Sequence, residues 1–313
     1  MSQLERALEL AERGRPTTRP NPVVGAVDVA DEEVVGEGWH ERKGGPHAEV
    51  VALEAAGGRA RGATLYVTME PCAHHGTTPP CTDVVLAAGV SKVVAGSLDP
   101  NPEARGGLEL LRERGIDVEL EDTFQARAQN EAWRTWIARK RPFVTLKLAA
   151  TLDGRVTVPG RRWVTGEESR RLVHELRAAV DAVAVGTGTV RADDPQLTAR
   201  DVDVPRPPRR LVFGTTPLPD GSELELRPGR LEDELATLAA EGVQSLLLEG
   251  GPTLATAFLE RGLVDKLLLF VAPELAGDGL RLLGPLAAPV EVARMTARPI
   301  GADLLISAYV HEP

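Results

Sequence analysis

The chain has 313 residues, long enough for two domains of roughly 100–200 residues each. Its 42% hydrophobic and 26% charged residues are typical of a soluble globular protein. A net charge of -10 disfavours binding to nucleic acid, which depends on neutralising many phosphates. No apolar run approaches the ~18 residues of a membrane helix, and the N-terminus lacks the apolar segment of a signal peptide. The two cysteines exclude a disulfide framework and predict a cytoplasmic protein.

The first half of the chain alternates helices with strands. Ser2 and Glu5 have the spacing of a capping box, which predicts a first helix that ends near Gly14. Asp28 interrupts an apolar strand and is expected to face outward, because side chains alternate across a strand. The order of elements predicts an α/β sheet with some parallel pairing. The predicted strands lie at residues 23–29, 34–39, 65–69, 93–97 and 116–120, and further helices begin at Pro46, Cys81, Glu103 and Thr123.

A second series of strands and helices follows Arg141-Pro142. We place a domain boundary there, so the predicted domains are residues 1–141 and 142–313. The run from Pro205 to Pro208 is expected to be a rigid surface loop. The predicted strands of this half lie at residues 143–149, 182–186, 211–213, 245–248, 266–271 and 304–310, and its helices at 167–179, 231–240 and 252–260. Each half is therefore predicted to be an α/β domain.

The strongest chemical pattern is one histidine and two cysteines at the ends of predicted elements. His47 precedes a helix, Cys72 follows a strand, and Cys81 begins the next helix. Three nitrogen and sulfur ligands leave the fourth tetrahedral position of Zn²⁺ open, which is typical of catalytic zinc. A closed structural zinc site, or a histidine and cysteines buried in a core, are the alternatives. His74 and His75 are rival ligands that are expected to face substrate or solvent instead.

Glu49 lies two residues after His47, where it is predicted to reach the metal-bound water without binding the metal. Zinc lowers the pKa of that water to about 7, and the hydroxide then attacks the carbon that bears the exocyclic amine. Glu49 would carry the proton from the water to the departing ammonia. His-x-Glu with Pro-Cys-x-x-Cys is the signature of zinc nucleobase deaminases, although here eight residues separate the cysteines.

The long segment between the cysteines resembles the corresponding loop of the bifunctional deaminase/reductase family of riboflavin biosynthesis. Three more runs are similar to that family, namely residues 20–25, 36–40 and 99–102. The resemblance implies an N-terminal cytidine-deaminase-like three-layer domain, with Asn21 and His40 at the substrate pocket. The family usually has a basic residue where this chain has Thr77, and Arg105 is a candidate replacement for binding the substrate phosphate.

The second half lacks the Gly-x-Gly-x-x-Gly fingerprint of dinucleotide-binding domains. Residues 186–189 follow a predicted strand, but Glu249-Gly250-Gly251-Pro252 is the better candidate for a phosphate-binding turn. Its glycines allow a ligand to approach the backbone, and the N-terminus of the following helix attracts phosphate. An ordinary strand-to-helix turn is the alternative interpretation.

The family resemblance continues through residues 147–154, 163–165, 176–178, 188–200 and 249–252. It implies a C-terminal dihydrofolate-reductase-like α/β domain that binds NADPH, with Lys147 and Asp193 beside the site of hydride transfer. Gly214-Thr215 replaces a frequent Asp-Ser pair, and the chain is shorter than usual after it. The implied cofactor-binding residues are Ala149, Trp163, Thr189, Asp193, Thr215 and Gly251. The implied substrate-binding residues are Lys147, Arg161, Arg177, Leu197, Arg200 and Glu249.

Together these patterns predict a riboflavin-pathway enzyme with two activities. Zinc-dependent hydrolytic deamination of the diaminohydroxyphosphoribosylaminopyrimidine would precede reduction of its ribosyl chain to ribityl by NADPH. The expected partner is this small phosphorylated pyrimidine, without nucleic acid or membrane, and a homo-oligomer is left open. One alternative is a zinc deaminase of bases in nucleic acid whose second domain is not a reductase. Another is a non-catalytic zinc-stabilised interaction protein.

Overall fold

The computed structural model describes residues 1–75, 79–204 and 206–313. Thr77 and Pro205, on which two of the sequence predictions fall, lie outside the described residues. The chain folds into two compact units, Met1–Arg139 and Lys140–Glu312. No helix in the described ranges is long and apolar enough to cross a membrane.

The first unit is a five-stranded sheet with helices on both faces. The strand order is β2-β1-β3-β4-β5, in which β1 is antiparallel to both neighbours and β3, β4 and β5 are parallel. These strands are β1 (Gly25–Ala30), β2 (Glu33–Trp39), β3 (Thr64–Val67), β4 (Lys92–Ala95) and β5 (Asp117–Leu120). The helices are α1 (Gln3–Glu12), α2 (Ala48–Ala56), α3 (Cys81–Ala88), α4 (Gly107–Glu113), α5 (Phe124–Gln129) and α6 (Glu131–Arg139).

Apolar side chains on both faces of this sheet bury the helices against it. Leu10 of α1 packs on Val27 from one face, whereas Ala52 and Leu53 of α2 join Leu65 on the other. Glycine in β2 allows the close approach of α2, because a Cβ atom on Gly38 would lie 2.5 Å from the carbonyl oxygen of Ala48. The predicted three-layer arrangement is therefore confirmed, as is the capping box at the start of α1.

Two helices differ from the sequence prediction. Helix α4 begins at Gly107 rather than near Glu103, because the preceding residues turn and Gly106 has a φ of 96°. The single helix predicted at residues 123–140 is two helices that meet at Asn130. The side chain of Asn130 binds the backbone N–H and carbonyl of Val23 at 2.9 and 2.8 Å, so a distant contact fixes the break.

Asp28 does not face outward as predicted. It lies on β1, its side chain is fully buried, and neither carboxylate oxygen has a hydrogen-bond partner among the described residues. The alternation argument was wrong here because helices cover both faces of this sheet, so neither face of β1 is exposed to water. Burial raises the pKa of Asp28 to about 6.

The second unit is an eight-stranded sheet in the order β12-β13-β11-β6-β10-β7-β8-β9. The strands from β11 to β9 run parallel, and β13 and β12 extend the sheet antiparallel. They are β6 (Phe143–Thr151), β7 (Ala182–Gly186), β8 (Arg209–Phe213), β9 (Glu225–Arg227), β10 (Ser245–Leu248), β11 (Lys266–Ala272), β12 (Ala293–Ile300) and β13 (Asp303–Tyr309). The helices are α7 (Glu167–Ala179), α8 (Thr187–Asp193), α9 (Leu231–Ala240) and α10 (Pro252–Glu260).

Helices cover both faces of this sheet as well. Leu235 of α9 and Phe258 of α10 pack with Leu246 on one face, and Val173 of α7 packs with Phe270 of β11 on the other. Nine predicted elements have their observed type and position within two residues, but α8, β9 and β12 were not predicted. The parallel strands place the turns that follow β7, β8 and β10 at one edge of the sheet.

Candidate active site

His47, Cys72 and Cys81 come together at the ends of three elements of the first unit. His47 is the residue before α2, Cys72 lies in the segment after β3, and Cys81 is the first residue of α3. Nδ1 of His47 lies 3.1 Å from Sγ of Cys81 and 3.7 Å from Sγ of Cys72. A tetrahedral ion with bonds of about 2.0–2.3 Å separates its ligand atoms by roughly 3.3–3.8 Å. All three ligand atoms lie within 4.8 Å of one another, so shifts of a few tenths of an ångström would let them hold zinc. Within the described part of the chain, no other group of histidine, cysteine and acidic residues is so placed.

The protonation of the two thiols is consistent with a cation at this position. Hydrogen bonds from the Cys81 thiol and from His47 lower the pKa of Cys72 to about 4. The pKa of Cys81 is raised, because its proton is held by Cys72 and because burial and the Glu49 carboxylate oppose a second negative charge. A divalent cation would remove that penalty and allow both thiolates to form.

Glu49 lies in the first turn of α2 beside the metal-ligand cluster. Its side chain is 3% exposed, and burial raises the pKa of its carboxyl group. Oε2 of Glu49 is buried with no hydrogen-bond partner among the described residues. Because an unpartnered buried acceptor is costly, this oxygen has the placement expected of a group that binds a water or substrate proton.

A cavity of about 350 Å³ opens onto His47, Glu49 and Cys72. Asn21 and His40, which the resemblance placed at the pocket, both line it. The ring of His40 is fixed by two contacts, 2.9 Å from Nδ1 to the carbonyl of Pro46 and 3.1 Å from Nε2 to Nδ2 of Asn21. Nδ1 of His40 therefore donates to the carbonyl, and Nε2 accepts from the amide of Asn21.

The rest of the cavity lining includes His74, which was predicted to face substrate or solvent, and several residues that were not predicted from the sequence. His74 lines the cavity but is not part of the metal-ligand cluster, as expected for a residue that faces substrate. The others come from segments far apart in the chain, namely Met69, Glu70, Asp99, Asn101, Ala104, Trp133, Trp136 and Ile137. Burial raises the pKa of Asp99 to about 6. Arg105, suggested for the phosphate, is exposed and is not among the lining residues.

In the second unit, three turns at the carboxyl ends of parallel strands lie close together. A Cβ atom on Gly251, after β10, would lie 3.5 Å from Oγ1 of Thr189 in α8. A Cβ atom on Gly214, after β8, would lie 2.7 Å from Oγ1 of Thr187. Thr189, Gly251 and Thr215, three of the residues implied for the cofactor, therefore belong to one region of the sheet edge. Pro252 is the first residue of α10, as predicted.

A buried charged network lies next to these turns. Arg177 of α7 donates to both carboxylate oxygens of Glu249, at 2.6 and 2.9 Å, and Nζ of Lys147 lies 3.8 Å from Glu249. Burial alone would raise the pKa of Glu249, but Arg177 and Lys147 hold it below its usual value. Burial lowers the pKa of Lys147. Three residues implied for the substrate thus form one cluster.

The remaining residues implied by the resemblance lie in several different segments of the second unit. Leu197 is buried among core residues of the second unit. The backbone N–H of Arg200 lies 3.2 Å from Nδ1 of His174, and Arg161 forms an ion pair with Glu274. Trp163 is 53% exposed between the guanidinium groups of Arg162 and Arg170. Ala149 lies on β6 and Asp193 ends α8, and the roles of all these residues stay predictions.

Two family models match the chain. Residues 142–306 match the RibD C-terminal domain, and residues 2–97 match the cytidine and deoxycytidylate deaminase zinc-binding region. The riboflavin biosynthesis protein RibD of Aquifex aeolicus is 39% identical over 96% of this chain and 95% of its own length. That of Escherichia coli is 41% identical over 89% of both chains.

Solved structures agree with these matches. RibD of Acinetobacter baumannii superposes with a TM-score of 0.82 at 35% identity, over 98% of this chain and 97% of its own. The diaminohydroxyphosphoribosylaminopyrimidine deaminase/5-amino-6-(5-phosphoribosylamino)uracil reductase of Thermotoga maritima gives 0.82 at 34% identity, with the same coverage. Both predicted fold assignments are therefore confirmed, and the chain belongs to the RibD family of riboflavin biosynthesis proteins.

Proposed function

We propose that this chain catalyses two consecutive steps of riboflavin biosynthesis, a zinc-dependent deamination and an NADPH-dependent reduction. The deaminase activity belongs to residues 1–141 and the reductase activity to residues 142–313. The observation that carries the proposal is the His47, Cys72 and Cys81 cluster with the unpartnered Glu49 oxygen beside a cavity. The substrate is the diaminohydroxyphosphoribosylaminopyrimidine, as the name of the Thermotoga maritima relative indicates.

In the deaminase, His47, Cys72 and Cys81 would hold the zinc ion. Zinc, when bound, makes a water molecule nucleophilic near neutral pH. Oε2 of Glu49 accepts the proton of the attacking water and delivers it to the departing amine, so the carboxylate begins and ends the cycle unprotonated. Burial favours this exchange because it raises the pKa of Glu49 and so makes its carboxylate a stronger base. His40 fixes the side-chain amide of Asn21, and the remaining groups of that amide orient the pyrimidine.

In the reductase, the turns around Thr189, Thr215 and Gly251 would hold NADPH, with Ala149, Trp163 and Asp193 as further contacts. NADPH supplies the hydride that opens the ribosyl group to ribityl. Lys147 lies in the buried network next to these turns, where its lowered pKa makes its ammonium a ready proton donor to the developing alkoxide. Arg177 and Arg200 bind the substrate phosphate, and Arg161, Leu197 and Glu249 complete the substrate site.

The partner of the chain is a small-molecule pyrimidine rather than a nucleic acid. The net charge of -10 favours a small substrate over a polynucleotide, whose binding depends on neutralising many phosphates. A homo-oligomer and a cytoplasmic location stay predictions. The interaction-protein alternative gives no role to Glu49, whose buried carboxylate a purely structural zinc site would not need.

Ammonia release from the diaminopyrimidine by zinc-loaded protein tests the deaminase. Glu49→Ala should retain zinc and lose at least 1,000-fold in kcat, on the order of the effect of a positioned acid–base group. Glu54→Ala, at an exposed position of the same helix, is the matched control and should behave as the wild type. Full activity of Glu49→Ala, or no ammonia from the wild type, would contradict the proposal.

A further inference from the structure

The carboxylate of Glu70 accepts hydrogen bonds from both ends of a segment that lines the deaminase cavity. Glu70 lies between β3 and Cys72 and is 6% exposed. Its Oε2 accepts from the backbone N–H of Asp99 at 3.2 Å. Its Oε1 accepts from the N–H groups of Gly106 and Leu108 at 3.0 and 3.2 Å. The side chain of Glu70 thus links the two ends of the segment 99–106, which we call the wall segment.

Hydrogen bonds inside the wall segment transmit this anchoring to the cavity. Oδ1 of Asp99 accepts from the N–H of Asn101 at 2.8 Å, and the carbonyl of Asn101 accepts from the N–H of Ala104 at 3.0 Å. Asp99, Asn101 and Ala104 all line the cavity. Because each turn begins where the previous one ends, the position of these groups depends on the two anchored ends.

The same segment packs against the metal-ligand cluster. The carbonyl of Ala104 accepts from the N–H of Ala73 at 3.2 Å, and Ala104 packs with Cys72 and Cys81. A Cβ atom on Gly107 would lie 1.8 Å from the carbonyl oxygen of Pro71, so the two backbones are in direct contact. Glu70 therefore sets the distance between the wall segment and the residues that would hold zinc.

We propose that Glu70 is a positioning residue of the deaminase, which aligns the wall segment for binding of the pyrimidine. This inference rests on the proposed function of the cavity. The role requires a carboxylate, because three N–H groups converge on two acceptor oxygens. Glutamine offers one acceptor oxygen, and its NH₂ group would face an N–H group, so one end of the wall segment would be released.

The test compares Glu70→Gln with Glu70→Asp and with Glu109→Gln, an exposed glutamate of α4. Each zinc-loaded variant is assayed for ammonia release and, on the deaminated compound, for NADPH oxidation. Glu70→Gln should bind zinc as the wild type does and raise KM at least tenfold, with a smaller fall in kcat. Glu70→Asp keeps two acceptor oxygens, so its KM should lie between those of Glu70→Gln and the wild type. Glu109→Gln should have the KM of the wild type.

An unchanged KM in zinc-loaded Glu70→Gln overturns the proposal, as does a Glu70→Asp variant no better than Glu70→Gln. Amide hydrogen exchange supplies a readout that does not need activity. The amides of Asp99 and Gly106 should exchange slowly in the wild-type holoprotein, and at least one of them should exchange faster in Glu70→Gln. Equal rates for both amides would also overturn the role. If the wild type releases no ammonia, the proposed function fails, whereas the exchange result still decides whether Glu70 anchors the segment.

Discussion

Arg177 and Glu249 form a bidentate ion pair in which Nε and Nη2 of the arginine donate to the two carboxylate oxygens at 2.6 and 2.9 Å. Both side chains are largely buried, so each neutralises a charge that would otherwise be costly. A substrate phosphate that binds Arg177 must share its guanidinium with Glu249. With the proposed role of Arg177 in phosphate binding, the ion pair would couple substrate binding to the stability of the second unit.

Arg177→Met should lower the free energy of unfolding by about 3 kcal/mol, because it leaves the Glu249 carboxylate buried without its bidentate partner and with Lys147 3.8 Å away. The same variant should raise the KM of the reductase for the deaminated substrate at least tenfold. Urea unfolding and NADPH oxidation measure the two effects. The double variant Arg177→Met/Glu249→Gln is the control, and it should be more stable than the single variant. Equal stability of the two would contradict the coupling.

Asp28 should make the first unit less stable as the pH rises. Its folded pKa of about 6 lies above the value of about 3.9 for an unfolded aspartate, so the folded state binds more protons between these values. Stability should therefore fall between about pH 4 and pH 6 by up to about 3 kcal/mol and stay low at pH 7.

Asp28→Val tests this directly by denaturant unfolding at two pH values. The variant should be about 2 kcal/mol more stable than the wild type at pH 7 and close to it at pH 4, because the penalty is for the charged form. Asp28→Asn, which keeps the shape without the charge, should show the same pH dependence as Asp28→Val. A wild type that is more stable than Asp28→Val at pH 7 would show that the carboxylate has a stabilising partner.

Gly38→Ala should damage the deaminase and spare the reductase. The added Cβ would lie 2.5 Å from the carbonyl oxygen of Ala48, a backbone atom that cannot rotate away, so α2 must move and carry Glu49 with it. We expect a loss of about 3 kcal/mol in stability of the first unit and at least tenfold in ammonia release. Gly58→Ala, where nothing lies within 4 Å of the added atom, is the control. Equal ammonia release by the two variants would show that the close contact between Gly38 and α2 does not determine the position of Glu49.

Removal of zinc should separate the two activities. A chelator should abolish ammonia release. It should also lower the thermal stability of the first unit, because without the cation the Cys72 and Cys81 thiols must either carry an uncompensated negative charge or stay protonated. NADPH oxidation on the deaminated compound should be unaffected. Added Zn²⁺ should restore ammonia release, and loss of both activities on chelation would argue against independent sites.

The sequence predicted the elements whose signals are local. The capping box at Ser2 and the proline at the start of α10 are such signals, and both elements begin where expected. The break at Asn130 and the late start of α4 were not predictable, because each depends on a hydrogen bond to a residue distant in the chain. Strand β12 carries no apolar alternation, and its residues are almost all exposed.

The residues of the candidate site were likewise predicted where their signal is local in the sequence and missed where only the fold brings them together. The metal-ligand cluster was found because His-x-Glu and the two cysteines keep a recognisable spacing. Glu70, Asp99, Trp133 and Trp136 were missed, since only the fold brings their segments to the cavity. The burial of Asp28 was missed because a period-of-two pattern cannot tell a solvent-facing strand face from one covered by a helix.

The most direct measurement follows NADPH absorbance with two substrates, the diaminopyrimidine and its deaminated product, for the wild type and Glu49→Ala. The wild type should oxidise NADPH with either compound. Glu49→Ala should do so only with the deaminated compound, because its first unit cannot supply that intermediate while its second unit is intact. A wild type that releases ammonia but oxidises no NADPH with either compound would contradict the assignment of the second unit as a reductase.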